Sequence, residues 1–334
     1  MRRYSYSSVM SLIAVTAAMV LGALVSCRRI ELQEPHSGVY VKFDITVEPE
    51  VIDQNEPGYP FPEIVKGRMP QSLRVCFYDH VSHELVAEDF LGPEGGFVSI
   101  AAGVYDVMAY SLGTEVTRVT GTESRAGGYA FTGSAGYSLN LTRGGSDGTA
   151  EMHSFTVIHE PDHLYVGRQA DVDIPVVSAE NRILVIGLQP KTILESYTFR
   201  VAQVVGAERI QSATCFVTGQ ASQRYLWDNR YTNTPCAITF SAPVDVESGT
   251  VTTAFNTFGR FPGSTSRVFV NLMVNDKSGG KYQWIFDVTE QFDNPDNEEH
   301  DIFISEPIVV PEKEQGGFTP TVGDWNAEII HVPL

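Results

Sequence analysis

The feature that most restricts this chain is a two-residue alternation of apolar side chains, renewed every eight to twelve residues after a Gly, Pro, Asn or Asp. Val39, Val41, Phe43, Ile45 and Val47 share one face of an extended segment, with Tyr40, Lys42, Asp44 and Thr46 on the other. A period of two puts one face into a core and leaves the other wet. The same pattern predicts strands over 73–79, 84–90, 96–100, 104–112 and 170–177, and weaker ones over 114–120, 129–132 and 137–141. Later strands are predicted over 181–189, 197–205, 209–217, 238–240, 251–258, 268–275, 281–288 and 301–305, with Asp276 to Gly280 as a hairpin turn. Pro49 to Pro70 holds five prolines in 22 positions, which reads as a long irregular connection. From residue 28 onward no long segment has helical periodicity with caps. The expected fold class is therefore all-β, a pair of tandem β-sandwiches.

The first 26 residues stand apart. Arg2 and Arg3 precede an apolar run from Val9 to Val25, and Leu24-Val25-Ser26-Cys27 closes it. That is a secretory signal peptide over 1–26 ending at a cysteine, and the closing tetrapeptide resembles the bacterial lipobox. Cys27 is then the lipidated first residue of the mature protein, carrying diacylglycerol and a fatty acyl chain such as palmitate. The competing reading is an uncleaved membrane helix, because the run approaches the minimum spanning length of about 17 residues. Removing 26 of 334 residues leaves 308, which at about 150 per domain gives two domains. We place them at 27–178 and 179–334. The formal charge of −18 includes Arg2 and Arg3, and no basic run offers phosphates a landing strip, so nucleic acid is excluded as a partner. With Cys27 assigned to lipid, Cys76, Cys215 and Cys236 remain. An odd count cannot pair fully. Cys215 and Cys236 both lie in strand-like runs and form a candidate disulfide in an oxidising compartment, with buried free thiols as the alternative.

Motifs with chemical meaning are sparse. Gly144-Gly145-Ser146-Asp147-Gly148 matches the nucleophile-elbow string, but a helix must follow the serine, and here a polar loop and a strand do, so the string reads as a turn. His153, His159, Glu160, Asp162 and His163 are the densest group of metal-capable residues, and Pro161 breaks the helical spacing of His159 and His163. The oxygen-rich stretch Asp293 to Glu299 lacks the spacing and glycine of an EF-hand loop and reads as a solvated turn. Tyr225, Trp227 and Tyr231 lie in a loop-like stretch and are candidates for stacking on a glycan, or equally for packing. Neither a catalytic constellation nor a cofactor fingerprint emerges, and the chain is expected not to be an enzyme.

Several short stretches resemble a known group when taken in order: Pro161-Asp162-His163-Leu164-Tyr165, Gln189-Pro190-Lys191-Thr192, Thr218-Gly219-Gln220-Ala221, Phe255-Asn256-Thr257-Phe258-Gly259 and Gly316-Gly317-Phe318 with Asp324-Trp325. With the lipobox, they resemble Bacteroidales lipoproteins of unassigned function grouped with the fimbrillin-like pilus proteins of the Mfa and Fim type. The resemblance implies two β-sandwich domains of transthyretin-like shape, an outer-membrane lipid anchor and a role in a fimbrium used for cell adhesion. It also implies assembly by β-strand donation, in which an Arg-directed protease removes a first strand and a neighbour's terminal strand fills the groove. Carried onto this chain, Val39 to Val47 is the removable strand, Arg68 or Arg74 the processing site, and Trp325 to Val332 the donor, with other fimbria-like subunits as partners. Arg68 lies 41 residues after Cys27, further than such a cut is expected, so an uncleaved anchor or accessory subunit is implied at least as readily as a stalk subunit. The alternatives are a glycan-binding surface lipoprotein and, on the histidines, a metal-assisted hydrolase.

Overall fold

The computed structural model describes residues 36–44, 69–112, 114–144, 150–176, 184–231, 234–261, 267–297, 300–312 and 328–331. Signal, lipobox, Cys27, Arg68 and Trp325 lie outside the described residues. Strands dominate the described residues, and their helical content is one turn of 3-10 helix at Ala207–Arg209 and a short α1 at Thr289–Asp293. None of their helices is long and apolar enough to cross a membrane.

Two pairs of sheets face each other. In the first, a three-stranded sheet runs β11 (Leu184–Leu188), β1 (His36–Phe43), β4 (Gly96–Ala101). It covers a five-stranded sheet ordered β12 (Lys191–Thr192), β10 (Tyr165–Ile174), β5 (Gly103–Leu112), β2 (Ser72–Asp79), β3 (Leu85–Leu91). The core between them holds Val39, Val41 and Phe43 of β1 against Leu73, Val75 and Phe77 of β2 and Val107 and Ala109 of β5. These are the alternate residues that the period of two singles out. The intervening residues of β2 and β5, among them Cys76, Tyr78, Met108 and Tyr110, are buried as well, in another cluster with Leu194, Ala221, Leu226 and Phe258. The five-stranded sheet is thus covered on both faces, which is why its central strands are apolar almost throughout.

In the second pair, a four-stranded sheet ordered β18 (Val244–Asp245), β19 (Thr250–Thr257), β13 (Glu195–Val201), β22 (Asp301–Ile304) packs on a seven-stranded one. The latter runs β24 (Glu328–His331), β21 (Lys281–Asp287), β20 (Phe269–Asp276), β15 (Ile210–Ala221), β17 (Pro235–Ser241), β9 (Ala150–His159), β8 (Ser134–Gly144). Phe199, Phe240 and Phe255 meet Trp284 and Phe286 in its core, with the Phe240 and Phe255 rings stacked at 4.3 Å. A small sheet of β16 (Gln223–Tyr225), β7 (Tyr129–Phe131) and β6 (Arg118–Thr120) bridges the two pairs.

The expected division at 178/179 does not follow this topology. β8 and β9 precede that boundary, yet they complete the seven-stranded sheet, where Val157 pairs in parallel with Ala237. β11 and β12 follow it, yet they pair with β1 and β10 of the first pair. Alternation marks a segment as a strand without naming its neighbour, and the β9–β17 and β1–β11 partners are 80 and 145 residues apart in sequence.

The candidate disulfide is also corrected. Cys76, Cys215 and Cys236 are free and buried. Cys215 and Cys236 do lie on adjacent strands, but Cys215 sits opposite Phe240 and Cys236 opposite Gln220. A four-residue offset along a strand is about 13 Å, about twice the reach of a disulfide. Burial pushes the Cys76 thiol up to about 11 and that of Cys236 to about 12, and raises Cys215 well above its ordinary value. All three behave as core groups.

Candidate functional site

Strand pairing is the chemistry this architecture offers, and two strands near the ends of the described chain present it differently. β1 is central. It forms an antiparallel ladder with β4 from His36 opposite Ala101 to Val41 opposite Gly96, and a parallel ladder with β11 from Val39 opposite Leu184 to Phe43 opposite Leu188. Val39 and Val41 are fully buried and Phe43 nearly so. Taking β1 away would strip both neighbours of main-chain partners and leave three side-chain pockets open, the geometry that an added strand with alternate apolar side chains fills. β24 is peripheral. It extends the seven-stranded sheet by a single parallel ladder to β21, from Tyr282 opposite Glu328 to Ile285 opposite His331. Within 325–332, proposed as the donor, residues 328–331 are therefore docked on the edge of their own chain.

Arg74, one candidate processing site, is excluded by its setting. It lies in β2 between β3 and β5, and its guanidinium pairs with Glu88 and donates to the Tyr110 hydroxyl at 2.7 Å. A protease cannot extend a strand that is paired on both sides.

The residues proposed for metal do not converge. His153 and His159 are six positions apart on β9, about 20 Å along the strand. Asp162 instead accepts the backbone N–H groups of Val116, at 3.0 Å, and of Glu115 and Thr117, while Thr117 Oγ1 donates to the Asp162 carbonyl. Burial would raise the Asp162 carboxyl, but these donors outweigh it and hold the group below its usual range. Glu160 accepts the Asn256 N–H at 2.9 Å, and burial pushes its carboxyl up to about 7. In the oxygen-rich stretch, Asp293 pairs with Arg260, and Asn297 donates to the Gln291 and Asp301 carbonyls and accepts from the Asp301 N–H, each at 3.0 Å. Gly145 to Gly148 of the serine string lie outside the described residues; the next described element is β9, a strand.

A cluster invisible in the sequence does form. His80 in the β2–β3 turn places Nδ1 3.1 Å from Oδ1 of the buried Asp106, and Nε2 3.0 Å from Oδ1 of Asp171. Arg125 pairs with the other Asp106 oxygen, and the Asp171 N–H donates to Oδ1 at 3.1 Å. Among the described residues this is the group whose ligand atoms are close enough to share an ion. Its atoms are already engaged with one another: both ring nitrogens face carboxylates, and a guanidinium neutralises Asp106. The hydrogen bond to Asp106 and the neighbouring carboxylates raise the His80 imidazole, so the cluster works as a clasp fixing the turn to β5 and β10. No motif spacing could have found it, because residues 80, 106 and 171 meet only through the β5–β10 ladder and the bulge between Gln169 and Val172.

The aromatic candidates for glycan stacking are packed instead. Arg230 lies over Tyr225 at 4.3 Å, Arg125 over Trp227 at 4.7 Å and Arg224 over Tyr231 at 4.9 Å. Trp227 and Tyr231 also rest on the core between the sheet pairs. One face of each ring is thus taken by a guanidinium, and the expected open platform is a set of cation–π contacts. Arg168 extends this junction from β10, donating to the Leu226 carbonyl and to Asn229 Oδ1 at 2.8 Å.

These features define a paired-sheet β protein whose exposed chemistry is main-chain pairing. The chain belongs to the family described as domain of unknown function DUF5119, whose model matches residues 63–241. It is 25% identical over 239 residues to a Bacteroides ovatus protein with the provisional name fimbrium anchoring subunit Fim4B, covering 68% of each chain. A solved structure of a provisionally described adhesin from Bacteroides ovatus superposes with a TM-score of 0.58 at 22% identity, over 86% of this chain and 97% of that one. The fimbrial anchor protein Mfa2 from Porphyromonas gingivalis gives a TM-score of 0.47 at 13% identity, over 82% and 90%.

Proposed function

We propose that this protein is a non-catalytic, lipid-anchored subunit that holds a fimbria-like structure at the surface of the bacterial outer membrane, as anchor or accessory component. The kinship with the Bacteroides ovatus protein named as a fimbrium anchoring subunit supports the assignment. The observation that carries the anchor role is the position of β1. It stands between Cys27 and the remainder of the body, so a cut at Arg68 would remove strand and tether together. A subunit that keeps its lipid keeps β1, and its own groove stays filled. It therefore accepts no donor there and ends a polymer, pairing with a neighbour through 325–332.

The test is mass spectrometry of the mature N-terminus from cells, combined with detergent partition of Cys27→Ala. An acylated Cys27 on a chain that retains 36–43, and release of the Cys27→Ala protein from membranes, are the expected results. A mature chain that starts beyond Arg68 would convert the assignment to a stalk subunit.

A further inference from the structure

The outer face of the three-stranded sheet carries an apolar row that is exposed among the described residues. Tyr40 stands directly opposite Phe97 on one side and Val185 on the other. Phe97 is 63% exposed and Val185 58%, and the Tyr40 and Phe97 rings meet edge to face at 4.8 Å. Adjacent strands are about 4.8 Å apart, so the three side chains make a band about 10 Å wide. Glycines flank it: Gly38 precedes Tyr40 on β1 by two positions, and Gly187, opposite Lys42, has no atom within 4 Å of where a Cβ would stand. The row therefore projects from a low surround.

We infer that this face seats on the lipid surface, with Phe97, Tyr40 and Val185 entering the boundary between headgroups and acyl chains. The inference rests on the lipid attachment at Cys27 proposed above. The tether supports it: β1 starts nine residues after Cys27, an extended reach of about 30 Å, and it is the central strand of this very sheet. Charge supports it as well. In a chain of net charge −18, the described residues of this face include Lys42 and Ser99 beside the row, and Asp44 directly follows β1. Arg28 and Arg29 follow the anchor directly. An acidic protein held close to an anionic surface is least repelled through its least acidic face. Aromatic side chains in such a row have the amphipathic character that favours the interface.

Exposed Ser99 offers a probe position, because Cys76, Cys215 and Cys236 are buried and the Cys27 thiol would carry lipid. A Ser99→Cys chain, lipidated in cells and labelled with an environment-sensitive fluorophore, is reconstituted into phosphatidylethanolamine and phosphatidylglycerol vesicles containing brominated lipid. A Ser138→Cys chain, labelled on the second sheet pair, is the reference. Severalfold stronger quenching at 99 than at 138 is expected, and its loss in Tyr40→Ser/Phe97→Ser/Val185→Ser with membrane attachment retained. A lipidated chain whose label at 99 is no better quenched than at 138 overturns the face assignment and leaves the anchor standing. Absence of diacylglycerol on Cys27 by mass spectrometry overturns both. Protection of the label at 99 only after detergent-extracted fimbrial subunits are added makes the row a protein contact and overturns the lipid assignment.

Discussion

β1 and β24 are both short strands near an end of the described chain, but the structure treats them oppositely. β1 has a ladder on each side and buries Val39, Val41 and Phe43 between two sheets, whereas β24 has one ladder at a sheet edge. Burial of three such side chains contributes roughly 6 kcal/mol before chain entropy is counted, comparable to the whole stability of an average domain. A strand so placed belongs to the fold, and one held by a single ladder can be exchanged. The contrast is the one the proposed anchor role needs, with the first strand retained and residues 325–332 as the segment proposed for donation.

The most severe way to break this contrast is a charge inside β1. Val41→Asp buries an unpaired carboxylate and should cost about 4 kcal/mol or more, read as a lower urea midpoint or as failure to accumulate folded protein. An unchanged midpoint would show that β1 is dispensable. Locking β1 in place sharpens the same point. Tyr40→Cys with Phe97→Cys, directly opposite across the ladder, should raise stability by about 2–4 kcal/mol when oxidised. Because an anchor retains β1, fimbrial linkage should be unaffected by the lock; lost linkage would mean that β1 must leave.

Glu160 tests whether the two sheet pairs respond together, since it lies on the crossover from β9 to β10. Its folded carboxyl titrates near 7, raised by burial from an ordinary 4.5. Below the unfolded value both states hold the proton and nothing changes. Between 4.5 and 7 the unfolded state gives it up first, so stability falls as pH rises, and above 7 the penalty is constant. Glu160→Gln keeps an acceptor for the Asn256 N–H and removes that penalty. It should be more stable than the parent by roughly 3 kcal/mol at pH 8 and equal to it at pH 4. A gain that persists at pH 4 would point to packing instead. The smallest effect is expected for deletion of 325–334: thermal stability changes by less than about 1 kcal/mol, because one edge ladder is lost, while subunit linkage in cells disappears. A large fall in stability would make β24 part of the fold.

How much of this was legible varies with the distance over which residues meet. The β2, β5, β20 and β21 strands matched the alternation to within a residue or so, because period two and turn residues are local signals. A strand after the glycine-serine loop is expected from the sequence without bounds; it is β9, Ala150–His159, where Phe155 and Val157 alternate and are buried. The disulfide failed on register, which a bulge between Val217 and Gln220 shifts within β15. The clasp of His80, Asp106 and Asp171 and the guanidinium-covered aromatics had no local signature at all.

The sequence by itself determined the period of the strands, the proline-rich composition between the first two strands and the acidic balance, since each depends on residues within a short stretch of one another. Only the tertiary structure decided which strands share a sheet, that segments on either side of residue 178 are interleaved, and that one terminal strand is central while the other is an edge. Those outcomes are set by hydrogen-bond ladders and apolar contacts between residues distant in the chain. An alternating strand offers the same main-chain donors and acceptors to every neighbour, and selection among them falls to the packing of both faces at once.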